Sequence, residues 1–177
     1  PEFKKAEEDV TNRIDRLMNT KGEKTVDSIH RELGLLMWDK CGMARDADGL
    51  KEALEKIPSI REEFKENVRI PGNSKNINME LEKAGRVEDF IDFAQCMCQD
   101  ALNREESCGG HFRTEYQFTE DDPDVKSGYT NPGEAMRRDD EFCYVAAWEN
   151  KGQDKDFELH KEDLAFENVK LSVRSYK

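Results

Sequence analysis

The sequence of 177 residues predicts a mainly α fold, an antiparallel bundle of three to four helices followed by an irregular C-terminal extension with a short β-hairpin. Three observations predict it. Apolar residues recur at three- and four-residue steps through four successive segments. Short polar connections join those segments, a spacing that favours antiparallel neighbours. Beyond Gly109-Gly110 the helical period stops, and Gly, Pro, Asn and Asp accumulate before a single β-prone run. Residues 1–107 are therefore expected to form the bundle. Residues 108–177 are expected to be a loop-rich extension with short strands packed on it, the two making one structural domain.

The first helix carries Phe3, Ala6, Val10, Ile14 and Leu17 on one face and ends near Lys21-Gly22. Thr25 or Asp27 starts the second, whose apolar face reads Val26, Ile29, Leu33, Leu36, Met37, Cys41 and Ala44 before it closes at residues 42–46. Asp46 or Asp48 can cap the third, with Leu50, Ala53, Leu54, Ile57, Ile60, Phe64 and Val68 on its stripe and Pro71-Gly72 as its stop. Pro58 inside that helix removes one backbone hydrogen bond, so a kink is expected near residues 55–57. After the polar loop 72–76, a long helix over 78–106 gathers Val87, Phe90, Ile91, Ala94, Met97, Cys98, Ala101 and Leu102. Residues 119–140 read as an acidic surface loop without helical period. The run 142–148 reads as a strand, Asn150-Lys151-Gly152 as a turn, and 157–160 as its hairpin mate. An extended tail is expected over 169–176.

Composition narrows the function. Forty acidic against 28 basic side chains give a net charge of −12. Lys and Arg are interleaved with Glu and Asp throughout, so no basic face for a nucleic-acid partner is visible. Charged residues make up 38%, against about 25% in an average globular domain, which describes a modest core under a strongly solvated surface. No apolar run approaches the roughly eighteen residues of a membrane span, and the start Pro1-Glu2-Phe3-Lys4-Lys5 lacks the apolar stretch of a signal peptide. A start on Pro rather than Met suggests a piece of a longer chain. Five cysteines, Cys41, Cys96, Cys98, Cys108 and Cys143, are an odd set without a regular framework, which fits a reducing, cytoplasmic compartment.

The densest cluster of reactive side chains runs from Arg104 to Arg113, where a helix ends at a Gly pair and His111 and Arg113 follow. Two readings stay open: His111 and Arg113 hold an anion or a flavin edge, or they are cations set against the dipole of a helix C-terminus. Zinc ligation by Cys96, Cys98, Cys108 and His111 is disfavoured. Two residues along a helix turn by about 200°, so Cys96 and Cys98 point apart. Buried structural cysteines fit better, with Cys108 the most reachable by solvent. No Gly-rich phosphate loop and no nucleophile elbow occurs. Trp38 with Met37, and Trp148 with Tyr144, read as core aromatics, and His30 as a surface residue on a charged flank. Arg137-Arg138-Asp139-Asp140, just before the strand, is placed to tie a loop down through charge-assisted bonds.

The stretch Asn103-Arg104-Glu105-Glu106-Ser107-Cys108-Gly109-Gly110-His111-Phe112-Arg113, then Arg138-Asp139-Asp140-Glu141-Phe142 and the closing Arg174-Ser175-Tyr176, resembles the C-terminal domain of the succinate dehydrogenase and fumarate reductase flavoprotein subunit. Glu32-Leu33-Gly34, Met37-Trp38, the turn Cys41-Gly42-Met43-Ala44-Arg45 and Glu82-Lys83-Ala84-Gly85-Arg86-Val87 fit as well, so the resemblance covers nearly the whole chain. In that family the pattern is Glu-Ser-Arg-Gly-Ala-His-x-Arg followed by Arg-Asp-Asp. Ser107, Gly109, His111 and Arg113 match it, Cys108 and Gly110 depart from it, and residues 119–135 are inserted before Arg138. The Cys-Gly-Gly-His variant resembles a bacterial branch whose membrane anchor is a cytochrome b.

The resemblance implies an enzyme that interconverts succinate and fumarate with FAD and passes electrons through an iron–sulfur subunit to quinone. Its catalytic and FAD-binding parts lie upstream, so no catalytic residue, no bound cofactor and no metal are expected in this segment, which would not span the membrane. The implied partners are its own FAD-binding and capping domains, the iron–sulfur subunit and the cytochrome b anchor, at the inner, cytoplasmic face of the plasma membrane. Ser107, His111 and Arg113 would form a loop facing the flavin domain, and Arg138, Asp139 and Asp140 an interface. Two alternatives accompany this reading: a stand-alone helical interaction module, and the C-terminal domain of an L-aspartate oxidase-like flavoenzyme.

Overall fold

The structure is a computed structural model that describes residues 1–152 and 157–169. The closing Arg174-Ser175-Tyr176 and most of the expected extended tail fall outside the described residues. Four long helices come first: α1 (Glu2–Asn19), α2 (Val26–Lys40), α3 (Ala47–Asn67) and α4 (Met79–Asn103). Each of the last three starts on a side-chain cap. Thr25 Oγ1 accepts from the Ser28 amide at 3.1 Å, Asp46 Oδ1 from Gly49 at 2.8 Å, and Asn78 Oδ1 from Glu80 and Leu81 at 3.1 Å each.

The core lies where α2, α3 and α4 meet. Val26, Ile29 and Leu33 face Leu50, Ala53, Ile57, Ile60 and Phe64, with Ala84, Val87, Ile91, Ala94, Cys98 and Ala101 closing the third side. These are the helical-period positions, so burying them removes one continuous apolar surface from water. Arg61 of α3 reaches across to Asp92 Oδ1 at 2.9 Å and Gln95 Oε1 at 2.6 Å on α4.

Helix α1 departs from expectation. Of its apolar face Leu17 is buried, whereas Phe3 is 92% and Val10 58% exposed. Charged contacts hold it to α4, through Arg13 to Glu88 at 2.8 Å and to the Gly85 carbonyl and Asp89 at 2.7 Å. Trp38 is likewise corrected from core to surface, at 83% exposure. It sits about 100° around α2 from half-buried Met37, beyond the edge of the stripe that Val26, Ile29 and Leu33 define.

Helix α3 runs unbroken through Pro58 and stops at Asn67, short of Pro71-Gly72. Val68–Arg69 there turns extended as β2 and pairs in parallel with β1 (Lys24–Thr25). Gly22 permits this approach, because a Cβ at that position would run into the Asn67 carbonyl.

Residues 119–140 are not wholly irregular. They contain the single-turn helix α5 (Pro123–Lys126) and the start of another, α6 (Asp139–Phe142), each too short to leave a period in the sequence. Amides of Phe118 and Met136 bond the carbonyls of Glu134 and Tyr116, closing the loop at its base. Strand β3 (Tyr144–Glu149) pairs antiparallel with β4 (Glu158–Asp163), Trp148 opposite Leu159. Trp148 and Tyr144 are half-buried rather than central. With Phe93, Cys96, Met97 and Phe142 they line a cavity of about 390 Å³, where Trp148 Nε1 donates to Asp100 Oδ1 at 2.7 Å.

Candidate functional site

Helix α4 ends at Asn103, leaving the last carbonyls of the helix without intrahelical donors. The chain then returns over that end. Gly109, at φ +58°, lets residues 108–111 close a tight turn, with the Cys108 amide bonding the His111 carbonyl at 2.8 Å and the His111 amide the Cys108 carbonyl at 3.1 Å. The turn brings Arg113 beneath the helix, where it is 2% exposed.

Arg113 serves three partners at once. Its Nη1 donates to the carbonyls of Ala101 at 2.7 Å and Leu102 at 3.2 Å, while Nε and Nη2 meet the Glu115 carboxylate at 3.3 Å. Its guanidinium also lies 5.3 Å from the centre of the Tyr116 ring. A cation at a helix C-terminus is favoured by the dipole as well as by the bonds it donates. His111 joins it, Nε2 to the Arg104 carbonyl at 2.8 Å. Burial first, then the charges of Arg45, Arg104 and Arg113, hold the imidazole below its ordinary pKa against the opposing pull of that carbonyl.

Ser107 is fully buried and locks the loop. Its Oγ donates to the Arg113 carbonyl at 3.0 Å and accepts from the Arg113 amide at 2.9 Å, and its own amide bonds the Met136 carbonyl. Two residues on which the sequence reading placed no role complete the arrangement. Glu106, 1% exposed, takes Arg104 on one oxygen and the Arg138 amide at 2.9 Å on the other. Arg45 is stitched to the loop through its backbone, its amide to the Phe112 carbonyl and its carbonyl to the Thr114 amide. The sequence marks both only as members of the resembling stretches, and their roles depend on partners, several of them backbone atoms, that only the fold brings near.

Arg138 joins the same assembly, donating to the Glu105 carbonyl at 3.0 Å and to Glu141. Arg137 grips Asp139 through both nitrogens at 2.8–3.0 Å, and Asp140 is exposed. Cys96 is half-buried at the cavity while Cys98 is buried against Met37, their sulfur environments separate, as the helical twist requires. The Arg113 and His111 nitrogens named above point into the chain, an arrangement that closes a helix end.

Residues 30–176 match the family described as Fumarate reductase flavoprotein C-term. This chain belongs to that family. It is 34% identical over 114 residues to the fumarate reductase flavoprotein subunit of Serratia sp. (strain ATCC 39006), which covers 64% of this chain and 19% of the relative. The L-aspartate oxidase of Synechocystis is a more distant relative, 28% identical over 123 residues, or 63% of this chain and 21% of that protein. Among solved structures, quinol fumarate reductase of E. coli superposes with a TM-score of 0.73 at 24% identity, covering 94% of this chain and 25% of that one. The chain thus spans about a fifth of the length of the curated relatives it matches. Among the described residues no helix is long and apolar enough to cross a membrane.

Proposed function

We propose that this chain is the non-catalytic helical end of a flavoprotein subunit that interconverts succinate and fumarate. The remainder of the subunit would bind FAD, and electrons would pass through an iron–sulfur subunit to a quinone held by a membrane-anchor cytochrome b, on the cytoplasmic face of the plasma membrane. The family match over 30–176 carries the reading. FAD, when bound, would supply hydride transfer in the upstream domains, and the residues of this chain would do something different: hold a surface against which those domains seat.

Two features of the structure support that division. Large apolar side chains are exposed on the helical part, among them Leu35, Trp38 and Ile77, and packing against flavin and capping domains would cover them. The Ser107, His111 and Arg113 loop is rigidly anchored, so its Cys108–His111 turn can serve as a fixed contact for the flavin domain while its charged groups stay inside. Arg138 is tied to the Glu105 carbonyl just before that loop, and the exposed Asp139 and Asp140 beside it would meet the partner as well. Residues 1–107 and 108–177 would act as one unit, since the second segment is fastened to the end of the first.

The test is the full-length subunit purified with its partners. It should carry stoichiometric FAD and reduce fumarate, and His111→Ala should lower its flavin content while leaving the helical content intact. A subunit without flavin would overturn the enzyme reading, and full flavin occupancy in the variant would overturn the role of the loop.

A further inference from the structure

The cavity between the C-terminal half of α4 and strand β3 has no part in the reading above. Its volume of about 390 Å³ falls in the range of small-molecule pockets, roughly 300–1,000 Å³. Residues two apart on a strand share a face, so Tyr144, Ala146 and Trp148 line it together. Phe142 stands beside them, its ring centre 6.3 Å from that of Tyr144 and the two planes tilted by 38°. Phe93 of α4 supplies a fourth aromatic wall.

The charges in the lining are unequal. Asp100 is half-buried and accepts the Trp148 Nε1–H on Oδ1 at 2.7 Å, while its Oδ2 takes no hydrogen bond among the described residues. Arg104 is answered by buried Glu106, whose Oε1 accepts from Nε at 2.7 Å and lies 2.6 Å from Nη2. One carboxylate without a cation therefore remains among four rings. Two of those rings already attract cations of the chain itself. Lys161 Nζ sits 4.2 Å from the centre of the Tyr144 ring, and the Arg138 guanidinium 5.5 Å from that of Phe142. Lys161 pairs with Ala146 across the hairpin, which puts it on the same face, at the rim.

We propose that this cavity binds a small organic cation carrying a quaternary ammonium group, its charge set against Asp100 and the faces of Phe93, Tyr144 and Trp148. Ring faces are negative and attract such a cation, which has no hydrogen-bond donors to leave unsatisfied among apolar walls. Other occupants fit the lining less well. An anion meets the Asp100 charge, and a hard metal ion finds one carboxylate where it needs about six oxygens. An uncharged apolar guest would strip water from Asp100 and return no charge to it. Lys161 is the competitor at the rim, since its ammonium and the ligand draw on the same Tyr144 ring.

The experiment is equilibrium dialysis of the purified full-length subunit, with its partners, against labelled choline. One saturable site per subunit is expected. The uncharged carbon isostere 3,3-dimethylbutan-1-ol should compete at least about tenfold more weakly, because it keeps the shape and loses the charge. Asp100→Asn should weaken binding about tenfold, and Trp148→Leu more, whereas Trp148→Phe should recover most of it, which separates loss of a ring face from loss of the hairpin. Lys161→Met should tighten binding about threefold by freeing the Tyr144 ring. Cys96 lines the cavity and Cys108 does not, so choline should slow alkylation of Cys96, mapped by mass spectrometry, and leave Cys108 unchanged. Absence of saturable binding, equal competition by the uncharged isostere, or a bound ligand that does not protect Cys96 would overturn the proposal. None of these readouts requires FAD, so they stand or fall separately from the enzyme reading.

Discussion

The helical bundle and the segment after it are built around interiors of opposite chemistry. Every buried apolar side chain of the core lies between Leu17 and Ala101, whereas from 108 to 169 the single buried residue among those described is Arg113. The bundle is held by apolar area removed from water, a term that is non-directional and spread over many side chains. The extension is held by directed bonds that converge on one guanidinium, one serine hydroxyl and one carboxylate. Damage should therefore spread differently: graded and global in the first, concentrated and local in the second.

The largest effect is expected in the bundle. Phe64, 1% exposed, fills the space between α3 and its neighbours, and Phe64→Ala should cost about 3–5 kcal/mol by urea unfolding, with all probes shifting together. Arg113→Ala should cost about 2–4 kcal/mol, but unevenly, because it strands the Ala101 and Leu102 carbonyls and leaves Glu115 without its cation. Hydrogen exchange should quicken at the amides of Cys108 and Arg138 while the amides of α3 keep their protection. Lysine at this position should recover little, since one ammonium cannot serve the helix end and a carboxylate together. Equal loss of protection in both regions would break the contrast.

The same contrast explains what could be read in the chain beforehand. The stripes Val26-Ile29-Leu33 and Val87-Ile91-Ala94-Cys98, and the caps at Thr25, Asp46 and Asn78, follow from periodicity and local hydrogen bonding. Periodicity overstated α1 and Trp38, because it reports which face is apolar and says nothing of whether a neighbour covers it. It was silent on β1 and β2, where a glycine against a backbone rather than any apolar pattern decides the pairing. At the α4 end the residue types around Arg113 were visible, but their direction was not. Their partners are carbonyl oxygens, which every residue carries alike, so choosing between an outward anion grip and an inward helix cap required the fold.

His111 gives the smallest and most specific prediction. Its folded-state pKa is held below 6.5 by burial and by three arginines, so the folded loop keeps the imidazole neutral while an unfolded chain takes a proton near 6.5. The unfolded state then binds more protons below that pH, and stability falls as pH drops from about 6.5 toward the folded value, with no contribution above it. Melting the native chain and His111→Gln side by side from pH 7.5 to 5.5 isolates the effect, because acidic groups shared by both cancel in the difference. The native chain should lose more stability than the variant across that window, and the excess should be confined to the 104–113 segment in exchange measurements. Parallel pH slopes would mean that the imidazole gains, on protonation, as much from the Arg104 carbonyl as it loses to burial and the arginines, and the electrostatic account of the α4 end would then rest on Arg113 alone.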